Sequence, residues 1–251
     1  MEIDAVHGLP EIREGADLAA LIAEQADLGP DDVVCVASTV VSKAEGRTAD
    51  LSDYDPSERA RDIAARIAEI SGEDKDPRFA EAVLAESAEL LLEAPFLLAV
   101  THFGHITVNA GIDRSNVPDA DLLFLPEDPS ASAAALSEAL GCPVIVTDTS
   151  GRPFRVGQRG VAVGWAGLPA ARDWRGERDR DGREMDVTVQ SVVDELAGAA
   201  NLVTGEGAGG TPAAVVRDFE FGDHAGDDRL FRDPEDDLVR QALREWSHGG
   251  D

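Results

Sequence analysis

The sequence predicts an α+β fold. Segments with strand character and segments with helical periodicity follow one another in the order strand, helix, strand, helix, helix, hairpin, helix, strand, strand, helix, strand. This order mixes adjacent strands with crossovers, which fits α+β better than a regular doubly wound sheet. With 43% hydrophobic residues the chain can also build a sizeable core. No internal repeat and no linker rich in Pro, Gly or Ser is present, so residues 1–251 are interpreted as one domain with an acidic tail from about residue 222.

The first elements follow from hydrophobic spacing. Apolar residues at helical intervals predict a helix over residues 16–28, and the continuous apolar run VVCVASTVV, residues 33–41, predicts a buried strand. A further helix is expected from Pro56, with Asp55 as its cap and Glu58 closing a capping box. Its expected buried face consists of Ala60, Ile63, Ala64 and Ile67.

The middle of the chain predicts two helices around a hairpin. Residues 77–90 continue the helical pattern, and residues 130–140 form a second helix rich in small residues. Between them, residues 95–111 are rich in β-branched side chains on either side of His102, Phe103 and Gly104, which predicts a hairpin.

Two further strands surround a loop of unusual charge. CPVIVTDT, residues 142–149, predicts a buried strand that leads into the arginine-bearing loop VTDTSGRPFRVGQRG. Glycines in the following strand, residues 157–167, indicate close backbone approach or bulges. The remaining predicted elements are a charged loop over residues 171–184, a helix over 187–202, a strand over 213–221 and a short helix after Pro234.

The charge balance excludes several classes of partner. Fifty acidic residues face 22 basic ones, of which only Lys43 and Lys75 are lysines, and the formal net charge is -28. Such a chain repels nucleic acid and anionic lipid. Excess carboxylate with scarce lysine resembles proteins of salt-in halophiles, where molar salt screens charge over a Debye length of about 3 Å. An acidic face for a cationic partner is the alternative, but the acidic residues are spread along the chain rather than grouped.

The chain also predicts its compartment. Cys35 and Cys142 lie in apolar runs without metal or disulfide spacing, which indicates small buried side chains in a reducing environment. The first residues are acidic where a signal peptide is basic, and no apolar run approaches the roughly 20 residues that span a bilayer. We therefore expect a cytoplasmic protein.

Glycine-bearing stretches are candidates for phosphate binding. TGEGAGGT could direct backbone N–H groups at an anion, with Lys43 and Arg47 adding positive charge. Neither a P-loop nor a dinucleotide-binding fingerprint is present. A flexible connector is an equally good interpretation of this stretch alone.

Metal binding is the second candidate chemistry. Asp113, Asp148 and Glu206 lie in or beside such loops, near hydroxyl and amide side chains, and hard oxygen ligands of this kind suit Mg²⁺ or Mn²⁺. For any single Asp, a turn-forming role is the more frequent explanation. His102 and His105 lack a third ligand at zinc spacing, which favours a structural role.

Taken in order, the motifs resemble the coenzyme F420-0:L-glutamate ligase family. The matching stretches are GLPEI, VVSKAEGR, ITVNAGIDRSN, VIVTDTSGRPFRVGQRGVAVG, DELAGAANLVTGE and GGTPAAVVR, which together reach from the N-terminus to about Arg217. The resemblance implies an α+β fold of two intertwined subdomains with mixed sheets, forming a homodimer. It also implies the stand-alone archaeal form, without the second flavin-binding domain that some relatives carry.

The resemblance further implies a nucleotide site and a metal site. GTP is expected to bind through Leu9, Pro10, Glu11, Ile12, Ser38, Thr39, Lys43, Asn116, Val203, Thr204, Gly205, Glu206, Gly207, Ala208, Gly209 and Gly210. Two divalent ions, Mg²⁺ or Mn²⁺, are expected on Asp113, Asp148, Thr149 and Glu206, with Asp113 and Asp148 as the catalytic carboxylates. K⁺ is the expected stimulating ion.

The implied reaction joins L-glutamate, through successive γ-linkages, to the deazaflavin precursor coenzyme F420-0. The precursor's carboxylate would attack the γ-phosphate of GTP, and the amine of glutamate would displace phosphate from the resulting acyl phosphate. Six basic residues are expected to offset the charge of these anions, or to form surface ion pairs: Lys43, Arg47, Arg114, Arg152, Arg155 and Arg159. A related ligase acting on another carboxylate, or a nucleotide-binding protein without catalysis, are the alternatives.

Overall fold

The chain folds into two compact units. A computed structural model describes residues 1–72, 74–115, 117, 119–207 and 209–246. One unit comprises residues 1–46 and 128–230, and the other comprises residues 47–127 with the C-terminal stretch from Phe231. Each unit contains both helices and mixed or antiparallel strands, which confirms the α+β prediction.

The elements are numbered in chain order. The strands are β1 (Glu2–Ala5), β2 (Val33–Ala37), β3 (Thr48–Ala49), β4 (Ser87–Leu92), β5 (Leu98–Thr101), β6 (Ile106–Val108), β7 (Leu122–Leu123), β8 (Val144–Arg152), β9 (Arg155–Ala166), β10 (Ala171–Asp173), β11 (Val189–Ser191), β12 (Ala213–Arg217) and β13 (Ala225–Asp227). The helices are α1 (Leu18–Gln25), α2 (Ser38–Ala44), α3 (Glu58–Ser71), α4 (Pro77–Ala85), α5 (Pro129–Leu140), α6 (Val192–Thr204) and α7 (Leu238–Glu245).

A five-stranded sheet organises the first unit. Its order is β1-β12-β2-β8-β9, and only the β2–β8 pair is parallel. The side chains of β2 are almost all buried, as the apolar run predicts, because the strand lies at the centre of the sheet. The predicted strand over 33–41 is too long, however: the chain turns into α2 at Ser38. A small second sheet, β11-β10-β13, completes the unit.

Strands β8 and β9 form one long antiparallel hairpin. The predicted loop VTDTSGRPFRVGQRG is therefore mostly strand, and only the link between Arg152 and Arg155 is a turn. The glycine prediction for β9 is confirmed: a Cβ at Gly160 would overlap the backbone carbonyl of Ala197 on α6, and a Cβ at Gly164 would overlap that of Pro129 on α5. These glycines let both helices approach the strand closely.

The second unit packs α3 and α4 with the sheet β4-β5-β6. The predicted apolar face of α3 is confirmed, since its four residues are buried. The helix begins later than predicted, because the Ser57 side chain, rather than that of Asp55, accepts the capping bond from the Ala60 N–H. The hairpin over 95–111 is confirmed as the antiparallel pair β5–β6.

Other predicted boundaries are also wrong, and three of them show the physical reason. The helix over 77–90 ends at Ala85, because the residues that follow pair as β4 with β5. The helix over 187–202 begins at Val192, because Val189–Ser191 pairs with β10. The strand over 213–221 ends at Arg217. Within the described part of the chain, no helix combines the length and apolar character needed to cross a membrane.

Candidate functional site

The candidate site of the first unit lies where its two parallel strands end. The register pairs Ala37 of β2 with Thr147 of β8, so the next residues of both strands, Ser38 and Asp148, come together. The buried Ser38 hydroxyl donates a hydrogen bond to Asp148 Oδ1 at 3.2 Å. Because the carboxyl ends of parallel strands are the usual place for ligands in α/β sheets, this pair is a candidate for ligand binding.

A second hydroxyl–carboxylate pair forms one residue further along β8. The Thr149 hydroxyl lies 3.3 Å from each carboxylate oxygen of Glu206. The Asn201 side-chain amide donates to Glu206 Oε1 at 2.8 Å and fixes the carboxylate from the other side. Sequence reasoning missed Asn201, although its position five residues before Glu206, in the last turns of α6, could have indicated a local contact.

The two pairs leave β8 on opposite sides. Successive side chains of a strand point to opposite faces, so Asp148 is directed to the α2 side and Thr149 to the α6 side. The end of β8 thus carries two separate oxygen clusters, each with one carboxylate and one hydroxyl. Adjacency in a strand gives this division, but the partners of the two residues, Ser38 and Glu206, could not be derived from motif spacing.

Lys43 already has an anionic partner. Its ammonium lies 2.7 Å from Glu11 Oε1, with the lysine side chain 13% exposed and that of Glu11 56% exposed. Both residues belong to the predicted nucleotide set, and the contact links α2 to the loop that carries Leu9, Pro10 and the buried Ile12. Thr39 lies one residue after Ser38 on α2. The structure therefore brings the GLPEI and VVSK motifs together.

The glycine-rich run begins at the C-terminal end of a helix. Val203 and Thr204 are the last residues of α6, and the Gly205 N–H donates to the Asn201 carbonyl at 2.9 Å. Gly205 and Gly210 have positive φ, and Gly207 and Gly209 lie between them. Ala208 lies outside the described residues. Because a helix C-terminus carries partial negative charge, this end of α6 favours a cation beside Glu206.

Asp113 lies in the second unit, in a tight local turn. Its backbone exchanges hydrogen bonds of 2.9 Å with Leu123, and its carboxylate accepts from the Ser115 N–H and hydroxyl at 2.7 and 3.0 Å. This is the turn-forming arrangement expected as the alternative for a lone Asp. Asn116 lies outside the described residues.

The predicted basic residues differ in the contacts that their charged groups make. Arg47 pairs with Glu86 at 2.6 Å, and the Arg114 guanidinium lies 5.7 Å from the Phe79 ring centroid. Arg159 lies 3.9 Å from Asp194. Arg152 and Arg155, in contrast, form no ion pair with any residue that the structure describes.

His102, His105 and the two cysteines lie in surroundings that indicate structural rather than catalytic roles. The His102 ring lies 3.0 Å from the Ala85 carbonyl, and His105 is buried and stacked on Phe103. Both cysteines are buried and free, and burial raises the pKa of Cys35 to about 12. A thiol with so high a pKa stays protonated, which disfavours it as nucleophile or metal ligand.

The oxygen donors can be compared with what a divalent ion requires. No three His, Cys, Asp or Glu side chains come together as a metal-binding group among the described residues. Mg²⁺, however, usually keeps several waters and binds through one or two carboxylates plus substrate phosphates. Each of the two clusters, Asp148 with Ser38 and Glu206 with Thr149, fits this requirement in chemistry, since all its side-chain donors are hard oxygens.

Comparison with known proteins agrees with these motifs. The family model described as F420-0:Gamma-glutamyl ligase matches residues 8–218. The coenzyme F420:L-glutamate ligase of Natronomonas pharaonis is 71% identical over 250 residues, covering 100% of this chain and 99% of the relative. The protein of that name from Halobacterium salinarum is 64% identical, over 100% of this chain and 100% of its own length. The one from Archaeoglobus fulgidus is 46% identical, over 97% of this chain and 98% of its own length. The chain belongs to the F420-0:gamma-glutamyl ligase family.

Proposed function

We propose that the protein is a GTP-dependent ligase that adds L-glutamate, in successive γ-linkages, to the deazaflavin precursor coenzyme F420-0. Membership of the family supports the ligase activity. The observation that carries the rest is the pair of oxygen clusters, Ser38 with Asp148 and Thr149 with Glu206, at the end of β8. Hydroxyls and carboxylates placed in this way suit phosphoryl transfer, which depends on positioning and charge neutralisation.

Divalent ions are part of the proposal. Asp148 on one side of β8, and Thr149 with Glu206 on the other, would hold Mg²⁺ or Mn²⁺ ions, which when bound neutralise charge on the phosphoryl oxygens. Asp113 stays a predicted ligand, and two ions and a stimulating K⁺ remain part of the expectation from the resemblance. The Ser38 hydroxyl and the Asn201 amide orient the two carboxylates through the hydrogen bonds that they donate.

The chain's own residues prepare both steps of the reaction. Lys43 is the cation available to the nucleotide, and it would exchange its half-exposed partner Glu11 for a phosphate oxygen. In the first step, the acceptor's carboxylate oxygen bonds to the γ-phosphorus and GDP leaves. In the second step, the glutamate nitrogen bonds to the acyl carbon, phosphate leaves and the amine loses a proton. The glycine-rich run that follows α6 remains the predicted partner of the nucleotide at this end of the helix.

The proposal also includes a homodimer and a cytoplasmic location. Neither nucleic acid nor a membrane is expected as a partner, since a net charge of -28 repels both polyanions and anionic lipid. The three small-molecule substrates, GTP, glutamate and coenzyme F420-0, are themselves anions and require local cations.

The decisive experiment measures product mass and nucleotide turnover together. The protein is incubated with coenzyme F420-0, GTP, Mn²⁺ and glutamate in molar KCl, and the product masses and GDP are quantified. We expect glutamate additions matched one to one by GDP. Asp148→Asn should lower turnover by about a hundredfold or more, because it removes the carboxylate charge but preserves the shape. Asp186→Asn, an exposed residue of the same unit, is the matched control.

Two results would contradict the proposal. GDP release without glutamate addition would favour a related ligase with another acceptor. Turnover of Asp148→Asn equal to that of Asp186→Asn would remove Asp148 from the catalytic centre.

A further inference from the structure

The outer half of the β8–β9 hairpin, residues 151–159, is an exposed arm. Every residue of this arm is exposed, whereas the inner residues of both strands are buried in the sheet. Phe154 and Val156 are fully exposed although both are apolar. Isolated two-stranded ribbons are only marginally stable in water, so an arm of this kind gains from a ligand that covers it.

The tip of the arm concentrates positive charge. The register places Arg152 directly opposite Arg155, and neither forms an ion pair with a described residue. Like charges directly opposite each other destabilise a hairpin unless an anion lies between them. From Ser150 to Gly160 the sequence contains no carboxylate, in a chain whose net charge is -28. The tip is therefore suited to an anion.

The turn itself holds an aromatic ring in an unfavourable backbone conformation. Phe154 has a φ of 65°, the left-handed region that costs a non-glycine residue about 1 kcal/mol or more. No residue of the described chain covers its ring, which is fully exposed. The exposed ring of Phe154 thus belongs to the turn that joins the paired Arg152 and Arg155.

The position of the tip distinguishes it from the phosphate-transfer end. Arg152 lies three residues beyond Thr149 along β8, a distance of about 10 Å at the rise of an extended strand. A ligand that reaches from Asp148 and Thr149 to the tip must therefore be long. Coenzyme F420-0 has the required chemistry, because it carries a reacting carboxylate at one end and a flat deazaflavin ring elsewhere.

We propose that the arm tip, Arg152 with Phe154 and Arg155, binds the acceptor substrate by stacking its aromatic ring and pairing with its negative charge. This inference rests on the proposed function, because it assigns the carboxylate end of the same ligand to the Asp148 edge. It leaves the nucleotide with Lys43 on α2 and not with the arm. The arm then determines which carboxylate is activated.

Direct binding tests the inference independently of turnover. Coenzyme F420-0 is titrated into the full chain in molar KCl, without GTP, and followed by the absorbance of its deazaflavin ring. Phe154→Ala should weaken acceptor binding about fivefold or more, the effect of losing one aromatic stacking contact. The double variant Arg152→Gln with Arg155→Gln should weaken it to a similar extent. GTP affinity, measured by calorimetry, should stay within twofold in both.

The controls separate stacking and charge from general surface effects. Val156→Ala removes an equally exposed apolar side chain of the arm, and Arg178→Gln removes an exposed arginine of the same unit. Both should bind the acceptor as the unchanged chain does. The molar mass of each variant is also measured by light scattering, to detect any change in association between copies of the chain.

Three outcomes would overturn the inference. These are unchanged acceptor affinity in both arm variants, a loss of GTP affinity equal to the loss of acceptor affinity, and a change in molar mass that accompanies weaker binding. The last would assign the arm to contacts between copies of the chain. An unchanged chain that binds the acceptor but never glutamylates it would instead refute the proposed function and leave the arm's role intact.

Discussion

Replacing Lys43 by alanine tests whether its contact with Glu11 is a structural ion pair or a nucleotide site awaiting its ligand. The lysine side chain is 13% exposed, and its ammonium lies 2.7 Å from the carboxylate of Glu11, whose side chain is 56% exposed. Because water reaches Glu11, the pair itself contributes at most about 1 kcal/mol to folding. Loss of the ion pair in Lys43→Ala should therefore lower the free energy of unfolding by no more than about 1 kcal/mol.

The expected loss in GTP binding is larger. A hydrogen bond from a charged donor in a shielded position contributes about 1.5–3 kcal/mol, which corresponds to about tenfold to more than a hundredfold in the dissociation constant. The assay is calorimetric titration of GTP in molar KCl, where charges further apart than about 3 Å interact little and only direct contacts count.

Arg178→Ala is the matched control for this variant. It removes the same charge from the same unit, at a side chain that is 68% exposed and 4.0 Å from Glu184. Its GTP affinity should stay within about twofold of the unchanged chain, as expected for a screened surface charge. If Lys43→Ala bound GTP as tightly as this control, the lysine would be a surface ion-pair residue and the nucleotide assignment around it would be refuted.

Three further predictions concern other parts of the chain. The two arginines of α7, Arg244 and Arg240, bond to Glu89 and hold the pKa of its carboxyl at about 2, below the usual 4.5. The ionised carboxylate therefore contributes its full stabilisation of the fold above pH 4.5, and this stabilisation is lost as the pH falls toward 2. Glu89→Gln should therefore lower the free energy of unfolding by about 1–2 kcal/mol at pH 7 but by little at pH 2.5, and an equal loss at both pH values in denaturant titrations would contradict this. Gly164→Ala should destabilise the fold by about 2 kcal/mol, because the new Cβ overlaps the Pro129 carbonyl. Gly151→Ala is the control and should leave stability unchanged, because its Cβ meets nothing within 4 Å. Thermal unfolding compares the two variants. Thr149→Val keeps the shape but loses the hydrogen bond to the Glu206 carboxylate, so the Mn²⁺ concentration for half-maximal turnover should rise about tenfold, and an unchanged metal dependence would exclude this threonine from the site.

The hydrophobic pattern of the sequence was sufficient to predict an element where its buried residues follow one regular spacing. The run beginning at Val33 is a central strand, and the apolar face of α3 is buried as its spacing predicts. Boundaries failed where pairing with a distant segment decided the structure. Leu90 has helical neighbours in sequence, yet its backbone pairs with Ala99 of β5, and strand pairing overrides local propensity.

The site was predictable in composition but not in arrangement. Hydroxyl and carboxylate residues beside strand ends indicated metal and phosphate chemistry, and the family resemblance supplied the candidate set. Spacing alone could not show that Thr149 contacts Glu206, 57 residues further along the chain, since that contact depends on α6 packing against the sheet. The Lys43–Glu11 contact depends in the same way on how the N-terminal loop meets α2.

The location of positive charge explains how so acidic a chain could bind anionic substrates. Arg47 and Arg159 are close to carboxylates of their own units, so their charge is largely compensated. Lys43 is paired with the water-exposed Glu11, and Arg152 and Arg155 form no ion pair with a residue that the structure describes. In molar salt the long-range repulsion of a net charge of -28 is screened over about 3 Å, while contacts at hydrogen-bond distance persist. The proposed binding then needs only a few cations at contact distance, Lys43 on α2 for the nucleotide and the pair Arg152 and Arg155 on the arm for the acceptor.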